Sequence, residues 1–271
     1  MNLITEILVG LAVGGHIATW GMFKDSIHEG FTVAKYLRSI LVGVMLAPLA
    51  AAVTGIDSTT ASGIVLLFGL TYALERAVTK FWKTFVRDED QSKYFIPMQL
   101  HVMGLVVQNR GTRLAVGLGL VTAGLALLTG TMALQPEPGV AAPLWSLILV
   151  SSAGGWYSAF GGAFKDAPIE GFETLKFFRS PVVATIYGLL VSNFTESYPL
   201  IALCAIGFTV ATLDTYKTFF FPSTPRGKFA RKPILFPAML ERRRYFVPLY
   251  VLIWVSVLAS FGLAFVSLRA M

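Results

Sequence analysis

Two carboxylates one helical turn apart, Asp25 and Glu29, follow Lys24 and precede Lys35 and Arg38; the same types recur at Lys165, Asp166, Glu170, Lys176 and Arg179. Paired acids at this spacing offer hard oxygen ligands of the kind that hold Mg²⁺. Lys and Arg on the same stretch offer donors that suit phosphate. The chemistry such a set could perform is capture of a phosphate or diphosphate headgroup, with or without Mg²⁺. The metal ligands would be Asp25, Glu29, Asp166 and Glu170.

The two stretches are copies. FKDSIHEGFTVAKYLRS (23–39) and FKDAPIEGFETLKFFRS (164–180) align without a gap and agree at nine of seventeen positions, where ordinary residue usage predicts about one match. Capping alone explains part of this. Asp at a helix start caps free N–H groups, Glu suits the first turn, and Ser26 with Glu29 has the spacing of a capping box. Pro168 and Pro181 bracket a short amphipathic helix over about 167–179. Lys176 and Arg179 then fall in its last turn, where cations suit the dipole, and Ser180 caps the next span. Capping gives no reason for Lys24, nor for the match of Gly30 with Gly171. Glycine inside a helix costs about 1 kcal/mol relative to alanine, so the pair predicts a close neighbour, either backbone or ligand.

The elements that carry these residues are membrane helices. The chain has 271 residues, 55% hydrophobic and 14% charged, with a mean hydropathy of +0.68, too few charges to coat a soluble globule of that length. Apolar windows long enough to span a bilayer recur at about 3–22, 40–56, 60–78, 114–134, 143–163, 181–194, 198–213 and 247–268. Cys204 is the single cysteine, which excludes an intrachain disulfide and a cysteine-based zinc site. No Lys or Arg precedes Lys24, so the first apolar run reads as a retained helix rather than a cleaved signal.

Connections 23–39, 76–113, 164–180 and 217–244 hold 21 of the 22 Lys and Arg. By the positive-inside rule these face the cytoplasm of an inner membrane, with both termini outside. The expected fold is all-α: a polytopic integral membrane helix bundle of about eight transmembrane helices, built from two parallel four-helix repeats, 1–112 and 113–271. Weaker echoes extend the repeat, GGHIATWG with GGWYSAFGG, and WKTF at 82–85 with YKTF at 216–219. An even number of spans per repeat puts both charged copies on one side, related by an axis along the membrane normal.

Glu75 and Asp214 fall where their spans should reach the cytosol, within reach of water. His16 lies inside the first apolar run and could relay a proton; His28 and His101 read as surface residues. The connections 80–112 and 217–245 mix Phe, Lys and Arg and read as a belt at headgroup level. Gly10 with Gly14, and Gly119 with Ala123, have spacing that permits close helix packing. A net charge of +7 suits anionic lipid better than nucleic acid, because the basic residues sit at helix ends among aromatics. Walker, dinucleotide and HExxH motifs are missing.

Three functions fit. The first is a carrier or flippase for an anionic amphiphile or small phosphorylated solute, with membrane lipids as its surroundings. The second is a Mg²⁺-assisted lipid or isoprenoid phosphate transferase. Its paired acidic motifs, separated by four helices, are similar to those of membrane-embedded prenyltransferases, and that resemblance implies a diphosphate held through Mg²⁺. The spacing here is D-x3-E, and the asparagine- and aspartate-rich motif of those enzymes is missing. The third is a scaffold whose basic cytoplasmic face recruits anionic lipid or a protein partner.

Overall fold

The protein is described from a computed structural model. It covers all residues except Met1, Lys93, Phe95, Ile96, Asp166, 221–228, Ala230, Arg231 and Met271, and gives Lys165, Ile169 and Glu170 by backbone only.

Each expected apolar run falls on a long helix, five of them overrunning it by one to three residues. In chain order these are α1 Leu3–Glu29, α2 Val33–Thr54, α3 Ala61–Phe81, α4 Arg110–Ala133, α5 Leu144–Lys165, α7 Thr174–Val191, α8 Tyr198–Phe219 and α10 Val247–Arg269. Two short helices, α6 Ala167–Glu170 and α9 Ala238–Arg242, intervene, and a π-helical turn Trp82–Val86 extends α3. A two-residue hairpin, β1 His101–Val102 with β2 Leu105–Val106, is the strand content of the described residues. Among the described residues seven helices are long and apolar enough to cross a membrane. The chain is therefore a polytopic membrane protein of about seven candidate spans. Helix α5 matches the expected fifth span in length, 22 residues, but Ser151, Ser152, Gly154, Gly155 and Ser158 dilute its apolar run, and it is not among the seven.

The chain packs as two compact units, 1–75 with 210–271, and 76–209. In the first, α1 lies against α2. A Cβ on Gly10 would stand 2.5 Å from the Gly43 carbonyl oxygen, and one on Gly14 would stand 2.5 Å from that of Ser39 and against Ile40 Cα. Small residues let the two backbones touch, the usual basis of association where lipid removes the hydrophobic drive. In the second unit α5 lies against α7 by the same device. A Cβ on Gly155 would stand 2.6 Å from both the Ser180 oxygen and Pro181 Cα, and one on Gly188 would overlap Ser151. Around Gly119 nothing lies within 4 Å, so its expected packing role is not used.

The N-terminus of α1 is tied to the α2–α3 turn. Asn2 caps α1 through Oδ1, and its own amide donates to Ser58 Oγ at 2.9 Å; Ser58 in turn donates to the buried Glu6 carboxylate at 3.0 Å. In the second unit the segment 87–109 is a folded loop rather than an open belt. Arg113, fully buried, donates to the carbonyls of Val107 and Gln108 and to Asp88. Gln99 donates to the Arg87 carbonyl at 2.7 Å, and Gln91 accepts from the amides of Met98 and Gln99. His101, expected at the surface, is buried here, its Nδ1 donating to the Gln99 carbonyl. Buried polar groups must be paired, and this loop pairs its own.

Candidate functional site

The charged copies fold differently from a capped amphipathic helix. In the first, α1 runs unbroken through Asp25, Ser26 and Glu29. Ser26 is therefore a buried interior residue and not a cap. In the second, the helix that opens near Pro168 stops at Glu170, so no helix spans 167–179. Ser180 and Pro181 lie inside α7 instead of before it. Proline is tolerated inside membrane helices more readily than in soluble ones; beyond it, Thr185 Oγ1 donates to the Pro181 oxygen at 2.9 Å.

The cause of both breaks is the matched glycine. Gly30 has φ +77° and Gly171 φ +86°, a conformation in which side chains with a Cβ are strained. Gly30 N–H donates to the Ser26 carbonyl at 3.0 Å, and Gly171 N–H to the Ala167 carbonyl at 2.8 Å. Each closes one helix in the manner of a C-terminal glycine. Three residues later the chain restarts as α2 at Val33 and as α7 at Thr174, from the extended residues Thr32 and Glu173. Among the described residues the close neighbour expected of these glycines is found at Gly30, where the Phe236 ring lies 3.2 Å from a Cβ position, and not at Gly171, around which none of them lies within 4 Å.

These breaks move the basic pairs. Lys35 and Arg38 occupy the first two turns of α2, and Lys176 and Arg179 the first two turns of α7. The expectation that Lys176 and Arg179 end a helix is thus reversed. Cations at a helix N-terminus oppose its dipole by about 0.3–1 kcal/mol each, whereas that end, with its free N–H groups, attracts anions. The α2 end has one side-chain cap, Thr32 Oγ1 accepting from the Lys35 amide at 3.4 Å; Glu173 makes none at α7. Lys35 is exposed and Arg38 half-buried.

The remaining members of the first copy lie on the last turns of α1. Lys24 Nζ stands 5.1 Å from the Trp20 ring centroid and 6.0 Å from that of Phe229; Asp25 and Glu29 are half-buried. Beside them the segment after α8 folds onto α1. His28, expected at the surface, is buried: Nδ1 donates to the Pro233 carbonyl at 2.8 Å, and the ring stacks on Phe229. The amides of Leu235 and Phe236 donate to the Ile27 carbonyl. Arg243 is buried with its guanidinium 4.3 Å from the Phe23 ring, donating to the Phe23 carbonyl. In the second copy, Lys176 and Arg179 are half-buried. Asp166 and the side chains of Lys165 and Glu170 lie outside the described residues. Among the described residues no three His, Cys, Asp or Glu side chains come together as a metal cage.

No family model, curated protein or solved structure matches the chain. What the chain does must therefore be argued from its own residues.

A second polar cluster sits in the middle of the first unit, and sequence reasoning reached only part of it. His16 is fully buried, with Nδ1 3.1 Å from Tyr72 Oη. Its ring lies 4.2 Å from that of Tyr250 and meets Tyr72 and Trp254 edge-on at 5.3 and 5.5 Å. Thr215 Oγ1 donates to the Ala211 carbonyl at 2.7 Å, so it accepts both from Tyr250 Oη at 2.7 Å and from Trp254 Nε1 at 3.0 Å. Glu75, 0% exposed, and Asp214, 8% exposed, are buried within helices and do not reach water. Helix α3 continues past Glu75 to Val86, and α8 past Asp214 to Phe219, which places both carboxylates deeper than the apolar windows implied. Tyr72, Thr215, Tyr250 and Trp254 come from three distant helices, and a lone Tyr, Thr or Trp in an apolar run gives no sign of such a meeting.

Proposed function

We propose that this chain is a membrane carrier that takes an anionic, phosphate-bearing amphiphile or small solute at its basic face. One observation carries the reading: twice in the chain a positive-φ glycine ends a helix at a hairpin turn, and a basic pair begins the next helix. The free N–H groups of a helix start are a ready-made place for an anion. Lys35 and Lys176 stand in the first turns of α2 and α7, where the macrodipole disfavours a cation. A bound anion reverses that sign.

The two interruptions match residue for residue. Helix ends Glu29 and Glu170, glycines 30 and 171, restarts Val33 and Thr174, and close contacts Gly14–Ser39 and Gly155–Ser180 are each separated by the same 141 positions. These correspondences support two four-helix repeats, 1–112 and 113–271, in sequence order; the compact units concern packing instead. With both interruptions at the cytoplasmic face of an inner membrane, the solute is taken from the inner leaflet or the cytosol. The phosphate contacts are assigned to Lys24, Lys35, Arg38, Lys165, Lys176 and Arg179. Asp25, Glu29, Asp166 and Glu170 would hold Mg²⁺ if the solute is a diphosphate.

The test is reconstitution. Vesicles containing the purified chain should move labelled polyprenyl phosphate or anionic phospholipid faster than protein-free vesicles, and Lys35→Ala with Lys176→Ala should slow that movement. Equal flux with and without protein across such a panel contradicts the proposal.

A further inference from the structure

The residues around His16 form a box for a cation in the middle of a membrane-spanning helix. His16 lies midway along α1 Leu3–Glu29, about 20 Å from either end at 1.5 Å per residue. The polar ends of Tyr250 and Trp254 are fixed on Thr215, which leaves their ring systems turned to the imidazole. The Tyr250 ring is tilted by only 31° at 4.2 Å, within the range at which an aromatic face attracts a cation. A neutral imidazole is paired here with the Tyr72 hydroxyl; an imidazolium gains in addition the attraction of an aromatic face. To an imidazolium the box supplies what burial removes.

We infer that His16 is an intramembrane proton-binding site, and that Tyr72 reports its state by reversing its hydroxyl. In the neutral form with the proton on Nε2, Nδ1 accepts from the Tyr72 hydroxyl. Adding a proton to Nδ1 turns the ring into a donor, so the Tyr72 oxygen becomes the acceptor and its O–H must rotate away. No bond other than the N–H forms, and the proton comes from water at the membrane face. The charged and titratable groups on α1 itself are Glu6, Lys24, Asp25, His28 and Glu29, and those on the elements around it include Lys35, Tyr36 and Arg38 on α2, Tyr72, Glu75, Arg76 and Lys80 on α3, Asp214, Tyr216 and Lys217 on α8, Glu241 to Tyr245 on α9 and the turn before α10, and Tyr250 on α10. Glu75 shares the face of α3 with Tyr72, one turn on, and Asp214 adjoins Thr215, so both carboxylates lie along routes a proton could take. An ionisable group inside the membrane that faces the protein interior is the usual mark of such a route. For a carrier of an anion, one proton taken at His16 offsets one negative charge. The inference rests on the membrane reading and not on the anion site.

The experiment uses the full-length protein in lipid nanodiscs with ring-labelled histidine. The chain has three histidines, so His28→Asn and His101→Asn assign the remaining signal to His16 even if His16→Gln does not fold. The His16 resonance should titrate once between pH 4 and 8, together with quenching of Trp254 fluorescence that is lost in Trp254→Phe. Tyr72→Phe should move the midpoint down by about one pH unit, because the lost bond is stronger to the charged ring. A His16 resonance constant across that range overturns the inference, as does a titration that vanishes in Glu75→Gln or Asp214→Asn while His16 itself stays neutral. A chain that moves no anion but still titrates His16 leaves this inference standing and removes the carrier.

Discussion

Adding one methyl group at Gly155 should weaken the α5–α7 contact, whereas the same methyl at Gly119 should not. In Gly155→Ala the new Cβ would stand 2.6 Å from the Ser180 carbonyl oxygen and 2.6 Å from Pro181 Cα, well inside ordinary van der Waals contact. Both atoms are backbone and cannot rotate aside, so the helices must part. Overpacking of this kind costs about 1–3 kcal/mol, and the better helix propensity of alanine returns up to about 1 kcal/mol. The expected net loss is about 1–2 kcal/mol. Gly14→Ala, at the matching place in the other hairpin, meets the Ser39 oxygen at 2.5 Å and should lose a similar amount. Gly119→Ala meets nothing within 4 Å and should be unchanged or more stable by up to about 1 kcal/mol. Equilibrium unfolding of the three variants in mixed micelles measures these differences directly. Gly155→Ala and Gly14→Ala as stable as Gly119→Ala would refute the close-contact argument.

Stability and transport should part company at the helix starts. Lys35→Glu places an acid where the dipole favours it, so it should raise stability by about 0.3–1 kcal/mol while reducing vesicle flux; a loss of both points to a structural role. Replacing Arg113 with Leu strands the carbonyls of Val107 and Gln108. It should destabilise by about 2–3 kcal/mol and open 87–109 to limited proteolysis, and an unchanged cleavage pattern would contradict the folded-loop description. At the α2–α3 turn, the Thr59 hydroxyl and amide hold the Asp57 carboxyl below its ordinary value of 3.8. Because the folded value is the lower one, the contribution to stability is present above the ordinary value and is lost as pH falls through the folded one. Thr59→Ala should raise the Asp57 midpoint toward 3.8, read by carboxyl NMR; an unmoved midpoint contradicts the assignment.

The helices were legible because apolar runs of span length leave few alternatives, and each of the eight runs falls on a long helix, overrunning it by no more than three residues. The joints were not. Gly30 and Gly171 resembled interior glycines needing a neighbour, although a glycine just past the last helical residue is also the commonest helix stop. Taking Pro181 as a breaker applied a rule of soluble helices where membrane helices are more permissive. Those two choices together placed Lys176 and Arg179 at the wrong end of a helix. His28 and His101 were expected outside because their segments are polar. Both are inside because backbone carbonyls pair them there, that of Pro233 from the segment after α8 for His28 and that of Gln99 for His101. In both copies the basic pair begins a helix instead of ending one, so its lysine stands against the dipole that capping would have had it favour.

The central claim is that the twin helix starts hold a phosphate-bearing anion. Native mass spectrometry of the chain extracted from its membrane tests it most directly. The account predicts up to two bound phosphate-bearing amphiphiles per chain, with retention reduced in Lys35→Ala and in Lys176→Ala and lost in the double variant. A chain that emerges bare, or that keeps zwitterionic and anionic lipid equally in wild type and double variant, contradicts it.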